Sequence, residues 1–253
     1  MSPPPSCEGS LPHNTAQGFK VRFRSAGLCF SGGDCSTPCS EGEIAKHKRR
    51  LTRLGRYAIL AHNRAARGAV KQEVPWSQAH RLLSARPTCL LTVRYKGQVN
   101  VMAIAWVCPI SLEPPLVAMA LHPAAYTHDM LKKSGEAVLN IPGRPLLEQT
   151  YQCGTVSGAD EDKIALTKLS LEAGRRVEAP WIAECLAHLE CGIVDILTPG
   201  DHSLFIAEIV GAWAEEEAFS GVWLAPQDNE ELLPFYHLGG KQFGLLGRTL
   251  TAP

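Results

Sequence analysis

A mainly β fold with peripheral helices, an α+β barrel, is predicted for residues 73–253 of this 253-residue chain. Apolar runs of strand length recur from Thr88 to Leu238. Turn residues such as Lys96-Gly97 and Pro199-Gly200-Asp201 separate consecutive runs, as antiparallel neighbours require. Helical patterns fall between only some of them. Six or more strands in antiparallel succession favour closure into a barrel, because closure removes unpaired edges.

The elements follow in order. Trp76 to Ala85 reads as a short helix with Ser77 as its N-cap. Arg86-Pro87 breaks it, and Thr88 to Val93 reads as a strand. After the Lys96-Gly97 turn, Val99 to Val107 returns as its partner, and Cys108 to Pro115 reads as a connector. Leu116 to Leu121 is nearly all apolar, as expected of a strand buried on both faces. Tyr126-Thr127-His128 opens a helix that Gly135 ends, and Ala137 to Ile141 is the next strand. Leu146 to Cys153 and Asp162 to Lys168 read as helices around the loop from Gly154 to Lys163. Leu186 to Ile196, Ser203 to Trp213 and Phe235 to Leu238 complete the strands, before the tail Lys241 to Gly244.

Composition narrows the function classes. With 45% hydrophobic residues the chain can bury a real core. No apolar run reaches the roughly 18 residues of a membrane-spanning helix. The start Met1-Ser2-Pro3-Pro4-Pro5 lacks the pattern of a secretory signal. A soluble, cytoplasmic protein without membrane contact is therefore expected. Residues 1–72 carry 12 Lys or Arg against 4 Asp or Glu, whereas residues 73–253 carry 13 against 21. The first segment reads as a basic, poorly ordered extension. Its run Lys46-His47-Lys48-Arg49-Arg50 leaves nucleic-acid binding or an address signal open, and translation starting near Val70 is a further alternative. The acidic domain has no basic stripe, which argues against nucleic acid as its partner. The nine cysteines show no four-ligand spacing, so no metal is expected and the thiols read as reduced. The fingerprints of Rossmann folds, P-loops and G-x-S-x-G hydrolases are absent.

The most informative segment runs from Gln98 to Asp129. Ala103, Ala105, Ala118 and Ala120 interrupt otherwise bulky strands, leaving room for something flat beside the backbone. Asn100, Ser111, Thr127 and His128 supply a few orienting polar groups. A cofactor pocket is the reading.

These residues, in order, resemble a known family. Asn100-Val101-Met102-Ala103, Ser111-Leu112-Glu113-Pro114-Pro115 and Tyr126-Thr127-His128 come first. Ser134-Gly135-Glu136, Asn140-Ile141-Pro142, Cys153-Gly154, Ser157-Gly158 and Asp162-Lys163 follow. Gly200-Asp201-His202 and His237-Leu238-Gly239-Gly240-Lys241 complete the set. Over residues 74–248 the succession is similar to the flavin reductase-like proteins of the FMN-binding split barrel, nearest to flavoredoxin. The resemblance implies a split β-barrel with bound FMN (FAD is the alternative), NADH or NADPH as co-substrate, and a homodimer. It implies transfer of electrons to an acceptor such as free flavin, a partner oxygenase or a redox protein. An electron carrier or a non-catalytic flavin-binding module is the other reading.

The resemblance places ribityl and phosphate contacts on Asn100, Val101, Met102, Ala103, Ile104, Ala105, Ser111, Thr127 and His128. It has Ser157, Gly158 and Lys163 frame the pocket and His202 approach the nicotinamide as the catalytic-side residue. From the residues alone, Thr127 and Ser111 equally suit caps or turns, and Lys163 could pair with Asp160 or Asp162. Met102 and Trp106 suit ordinary core packing. His80, His122 and His188 read as structural, and His237 has a weaker claim on the site than His202.

Overall fold

The computed structural model describes residues 72–226, 228–247, 250 and 252. The expected basic extension lies outside the described residues, save Gln72. Strand β1 spans Arg86–Pro87, β2 Cys89–Tyr95, β3 Gln98–Ile104, β4 Val107–Leu112, β5 Pro115–Leu121 and β6 Glu136–Ile141. Then follow β7 Leu171–Glu172, β8 Trp181–Ile182, β9 Ala187–Leu197, β10 Ser203–Ala214, β11 Phe235–Gly239 and β12 Gln242–Leu245. The helices are α1 Trp76–Ala79, α2 Tyr126–Ser134, α3 Leu147–Thr155 and α4 Lys163–Thr167.

One seven-stranded sheet in the order β3-β2-β6-β9-β10-β5-β4 forms the body, with every neighbour antiparallel. The β2–β3 turn places Lys96 at φ 50° and Gly97 at φ 79°, the double left-handed geometry that matches strand twist in a two-residue hairpin. Register shifts at Ile206/Ala207 and Ile209/Gly211 interrupt the β9–β10 ladder, and such bulges bend a long hairpin. Strands β3 and β4 end the order, and no ladder joins them among the described residues. The barrel is therefore split, as the family resemblance implies, and not closed by a full ring of ladders.

Five local expectations are corrected. The return strand stops at Ile104 instead of Val107, and Cys108–Leu112 of the expected connector join Val107 in a strand hairpinned to β5. Pro109 is tolerated there because β4 is a sheet edge, where a missing N–H breaks no second ladder. Arg86-Pro87, read as a breaker, pairs with β11, and Gln242–Leu245, read as tail, pairs with its other side. Pro75, not Ser77, holds the N-cap position of α1.

Two apolar layers share the sheet. Cys89, Leu91, Val93, Ile104, Met119, Leu121, Leu139 and Phe205 fill the barrel interior with Met130 and Leu131 of α2. Leu90 and Val101 face the other way, against Leu146, Cys153, Leu169, Ile182 and Cys185. The alternation in β2 and β3 follows from the two-residue period of a strand. Burial pushes the Cys89 and Cys191 thiols up to about 12, so they serve as small hydrophobes. Beyond β6, the fully buried Glu190 accepts hydrogen bonds at 2.6 Å from Arg175 N, Arg176 N and Trp181 Nε1. This carboxylate anchors the segment that leads into β8.

Candidate functional site

Edge strand β3 carries a groove built from three adjoining cavities. The largest, about 450 Å³, lies at the Ala105 end and is walled by Ala103, Ala105, Ala120, Ala125 and Gly154. The second, about 230 Å³, shares Met102, Ala103 and Gly154 with it and continues past Thr127 and Ser157. The third, about 360 Å³, shares Tyr126, Gly158 and Lys163 with the second and reaches Gln98 and Asn100. An edge strand offers unpaired backbone N–H and C=O groups, and small side chains let a ligand approach them. From Asn100 to Ala105 the strand runs about 16 Å, room for a flat ring and a sugar-phosphate chain end to end.

The Gly158 end is tightly built. Asn100 donates from Nδ2 to Thr127 Oγ1 at 2.7 Å, and both residues are buried. A Cβ on Gly158 would lie 2.1 Å from Asn100 Oδ1, so only glycine lets this loop close over the amide. Thr127 sits in the first turn of α2, where His128 N donates to Ala125 O at 2.9 Å and the Tyr126 and Thr127 N–H groups lack intrahelical partners. Lys163 is 5% exposed and donates from Nζ to the Cys153 carbonyl at 2.7 Å. Burial holds its pKa below the ordinary lysine value. The pairing with Asp160 or Asp162 is corrected: the ion pairs among the described residues do not include Lys163. Asp162 instead caps α4 by accepting from Ile164 N and Ala165 N. Among the described residues no carboxylate lies within ion-pair distance of this amine, although Asp160, Glu161 and Asp162 line the same cavity. An anion beside it would stabilise its charged form.

The other end is aromatic. His202 lies in the mouth of the large cavity, its Nδ1 2.8 Å from Asp201 Oδ1. This contact holds the Asp201 carboxyl below its ordinary value. Trp106 tilts against His202 at 4.8 Å, and His122 meets His202 edge-on at 5.2 Å. Two expectations are corrected here. Trp106 is 41% exposed and lines the mouth instead of packing in the core. His122, taken as structural, lines the same mouth, and His80 stands 5.8 Å from Trp106. His237 lines it as well, with its ring held to Gly240 O at 3.1 Å. Antiparallel pairing of Ser203 with Leu121 is what sets His122 beside His202, a signal the strand pattern already contained.

The other predicted residues divide. Met102 both packs on the interior and lines the groove, and Ile104, Ala105, Ser157 and Gly158 line it too. Val101 is fully buried against the layer under α3. His128 points inward, with Nε2 2.9 Å from Ser203 Oγ and its ring edge-on to Phe205. Ser111 lies near the β4–β5 turn, opposite Leu116. None of these three lines the groove. Tyr151, Thr150, Thr88 and Phe243 do line it and lie outside the sequence reading of the site, because α3, β12 and the residue before β2 meet the groove only through tertiary packing.

The flavin reductase-like domain family matches residues 81–237. The chain belongs to that family. An uncharacterized Archaeoglobus fulgidus protein is 41% identical over 44% of this chain and 63% of its own length. The reductase component of a 4-nitrophenol monooxygenase from Rhodococcus opacus is 30% identical over 49% of this chain and 64% of its own. The structure of an FMN-binding domain of a flavin reductases-like enzyme from Shewanella baltica superposes with a TM-score of 0.62. It is 30% identical and covers 71% of this chain and 96% of that one. Flavoredoxin from Methanosarcina acetivorans gives 0.63 at 26% identity, over 73% and 95%. This flavin reductase-like domain has the donors that a flavin mononucleotide needs. A buried lysine amine with one carbonyl partner stands on one side, a slot walled by alanines and glycine on the other, and the large cavity falls within the usual range of about 300–1,000 Å³ for ligand pockets.

Proposed function

We propose that the protein is an FMN-dependent NAD(P)H oxidoreductase of the flavin reductase type. The buried, carboxylate-free ammonium of Lys163 at one end of the β3 groove carries this reading. Lys163, Thr127, Ser157 and the leading N–H groups of α2 hold the phosphate and ribityl chain. Ala103, Ile104 and Ala105 seat the flat ring against the edge of β3. The chemistry that bound FMN supplies is two-electron redox chemistry, with hydride taken from NADH or NADPH and electrons passed to a second acceptor. His202 and Trp106 orient the nicotinamide at the mouth, His202 being fixed by Asp201. The small apolar walls exclude water from the reacting face.

Free flavin, a partner oxygenase or a redox protein is the acceptor class, and the Rhodococcus reductase component supports the oxygenase among these. A homodimer is part of the proposal, supported by Ile110 and Leu112 standing exposed on edge strand β4; light scattering after gel filtration should give twice the chain mass. The direct test is anaerobic addition of NADH or NADPH to protein loaded with FMN. Bleaching of the yellow colour within the mixing time to minutes is expected. A flavin that dithionite reduces but neither nucleotide touches would turn the reading to an electron carrier, which the flavoredoxin likeness favours as the second reading.

A further inference from the structure

Two hydroxyls at the Ala105 end of the groove have no partner. Thr150 is fully buried and Thr88 is 4% exposed, and both line the large cavity. Neither Oγ1 makes a hydrogen bond within the described protein. A buried hydroxyl without a partner is costly, and such groups in folded proteins are few. Thr150 stands out further against its own kind. A helical threonine ordinarily relieves its hydroxyl by donating to the preceding turn. Thr155 of the same helix does so, to Tyr151 O at 3.0 Å, and Thr167 of α4 does so, to Lys163 O at 2.6 Å. Thr150 does not.

Register brings the two threonines to one place. Cys89 pairs with Ile104, so Thr88 extends β2 opposite Ala105, while α3 carries Thr150 over β3. No Lys, Arg, Asp or Glu lines this cavity among the described residues. A ligand seated there meets hydroxyls, ring nitrogens and backbone, and no fixed charge. We infer that Thr150 and Thr88 are positioning residues that hydrogen-bond the polar rim of the flat ring system, its carbonyl oxygens and ring N–H, at the Ala105 end of the groove. The inference rests on the FMN reading above. It adds that the hydroxyls are kept unpartnered in the protein alone because the ligand is their partner.

The arrangement has a signature that a purely structural threonine lacks. Thr150→Val keeps the shape and removes the orphaned hydroxyl, so it should raise the melting temperature of FMN-free protein. The same change should weaken FMN binding, read by quenching of flavin fluorescence, by roughly five- to tenfold. It should also move the visible absorption bands of the bound flavin. Thr150→Ser should restore affinity and spectrum, and Thr88→Val provides an independent second variant with the same opposed effects. Wild-type protein that binds FMN, with affinity and spectrum unchanged in both valine variants, overturns the inference alone. Wild-type protein that takes up no FMN overturns this inference and the proposed function together.

Discussion

At the scale of single residues, Lys163 sets the energetics of the proposed site. Its ammonium is buried with one carbonyl as protein partner, so the folded state favours the neutral amine more than the unfolded state does. The folded pKa therefore lies below the unfolded one, and the unfolded chain binds more protons between the two values. Stability of FMN-free protein should rise with pH across that window, up to the ordinary lysine value near 10.4. Lys163→Met should abolish that rise while weakening FMN by about 1.5–3 kcal/mol, the usual worth of a hydrogen bond to a charged group. Melting curves from pH 7 to 10 with FMN titrations check both; a variant that retains full affinity would remove Lys163 from the phosphate site. Gly158 acts through space and not through backbone conformation. A methyl there would displace the Asn100 amide and break its 2.7 Å bond to Thr127. Gly158→Ala should therefore lower both FMN affinity and the melting temperature, since it leaves buried polar groups without their partner; wild-type values of both would show the loop relaxing at no cost.

At the scale of elements, the site is a product of strand pairing. The turn between β9 and β10 delivers His202, and the end of β5 delivers His122 beside it. Replacing His202 by Ala removes the ring that Trp106 leans on, so NADH- or NADPH-dependent reduction should slow while FMN retention persists. Stopped-flow traces identical to wild type would deny His202 any nicotinamide-side role. Much of this was legible in the residues. The β2–β3 turn, the Gly135 helix stop, the antiparallel succession and the small residues of β3 all carry local signals of fixed period or fixed φ. Strand β4 was not legible, because Pro109 and Pro114-Pro115 resemble a connector until the sheet edge makes them harmless. Trp106 misled for a related reason: an aromatic after an apolar strand ordinarily packs inward, and only the split beside β4 leaves it at a mouth. Val101 shows the converse. Val99 and Ala103 on its own face of β3 line the groove, while Val101 between them is covered by the cluster of Leu146, Cys153 and Ile182, a burial that only tertiary packing decides.

At the scale of the whole molecule, one buried cluster ties the sheet to the segment that packs on its outer face. Glu190 on β9 receives three N–H groups from Arg175, Arg176 and Trp181. The His188 ring stacks on Trp181 at 4.3 Å and bonds Asn140 Oδ1 through Nδ1 at 2.9 Å. Asn140 in turn accepts from Ile182 N and donates to Leu90 O, joining β8 to β2. Burial holds His188 down to about 4 against an ordinary 6.5, with Arg175 adding to the effect and Glu190 opposing it. Folding thus keeps this imidazole neutral where the unfolded chain would protonate it. Between pH 6.5 and 4 the unfolded state binds the extra proton, so stability falls as the pH falls across that window and is fully present above it. Carboxylates contribute to acid unfolding as well, and a variant separates them. His188→Gln retains a side-chain hydrogen-bonding group but no titrating ring, so its stability deficit relative to wild type should shrink steadily from pH 6.5 to 4. Urea unfolding of both proteins at half-unit pH steps measures that difference. A deficit constant across the range would mean that His188 does not titrate on unfolding there, and acid sensitivity would then belong to other groups.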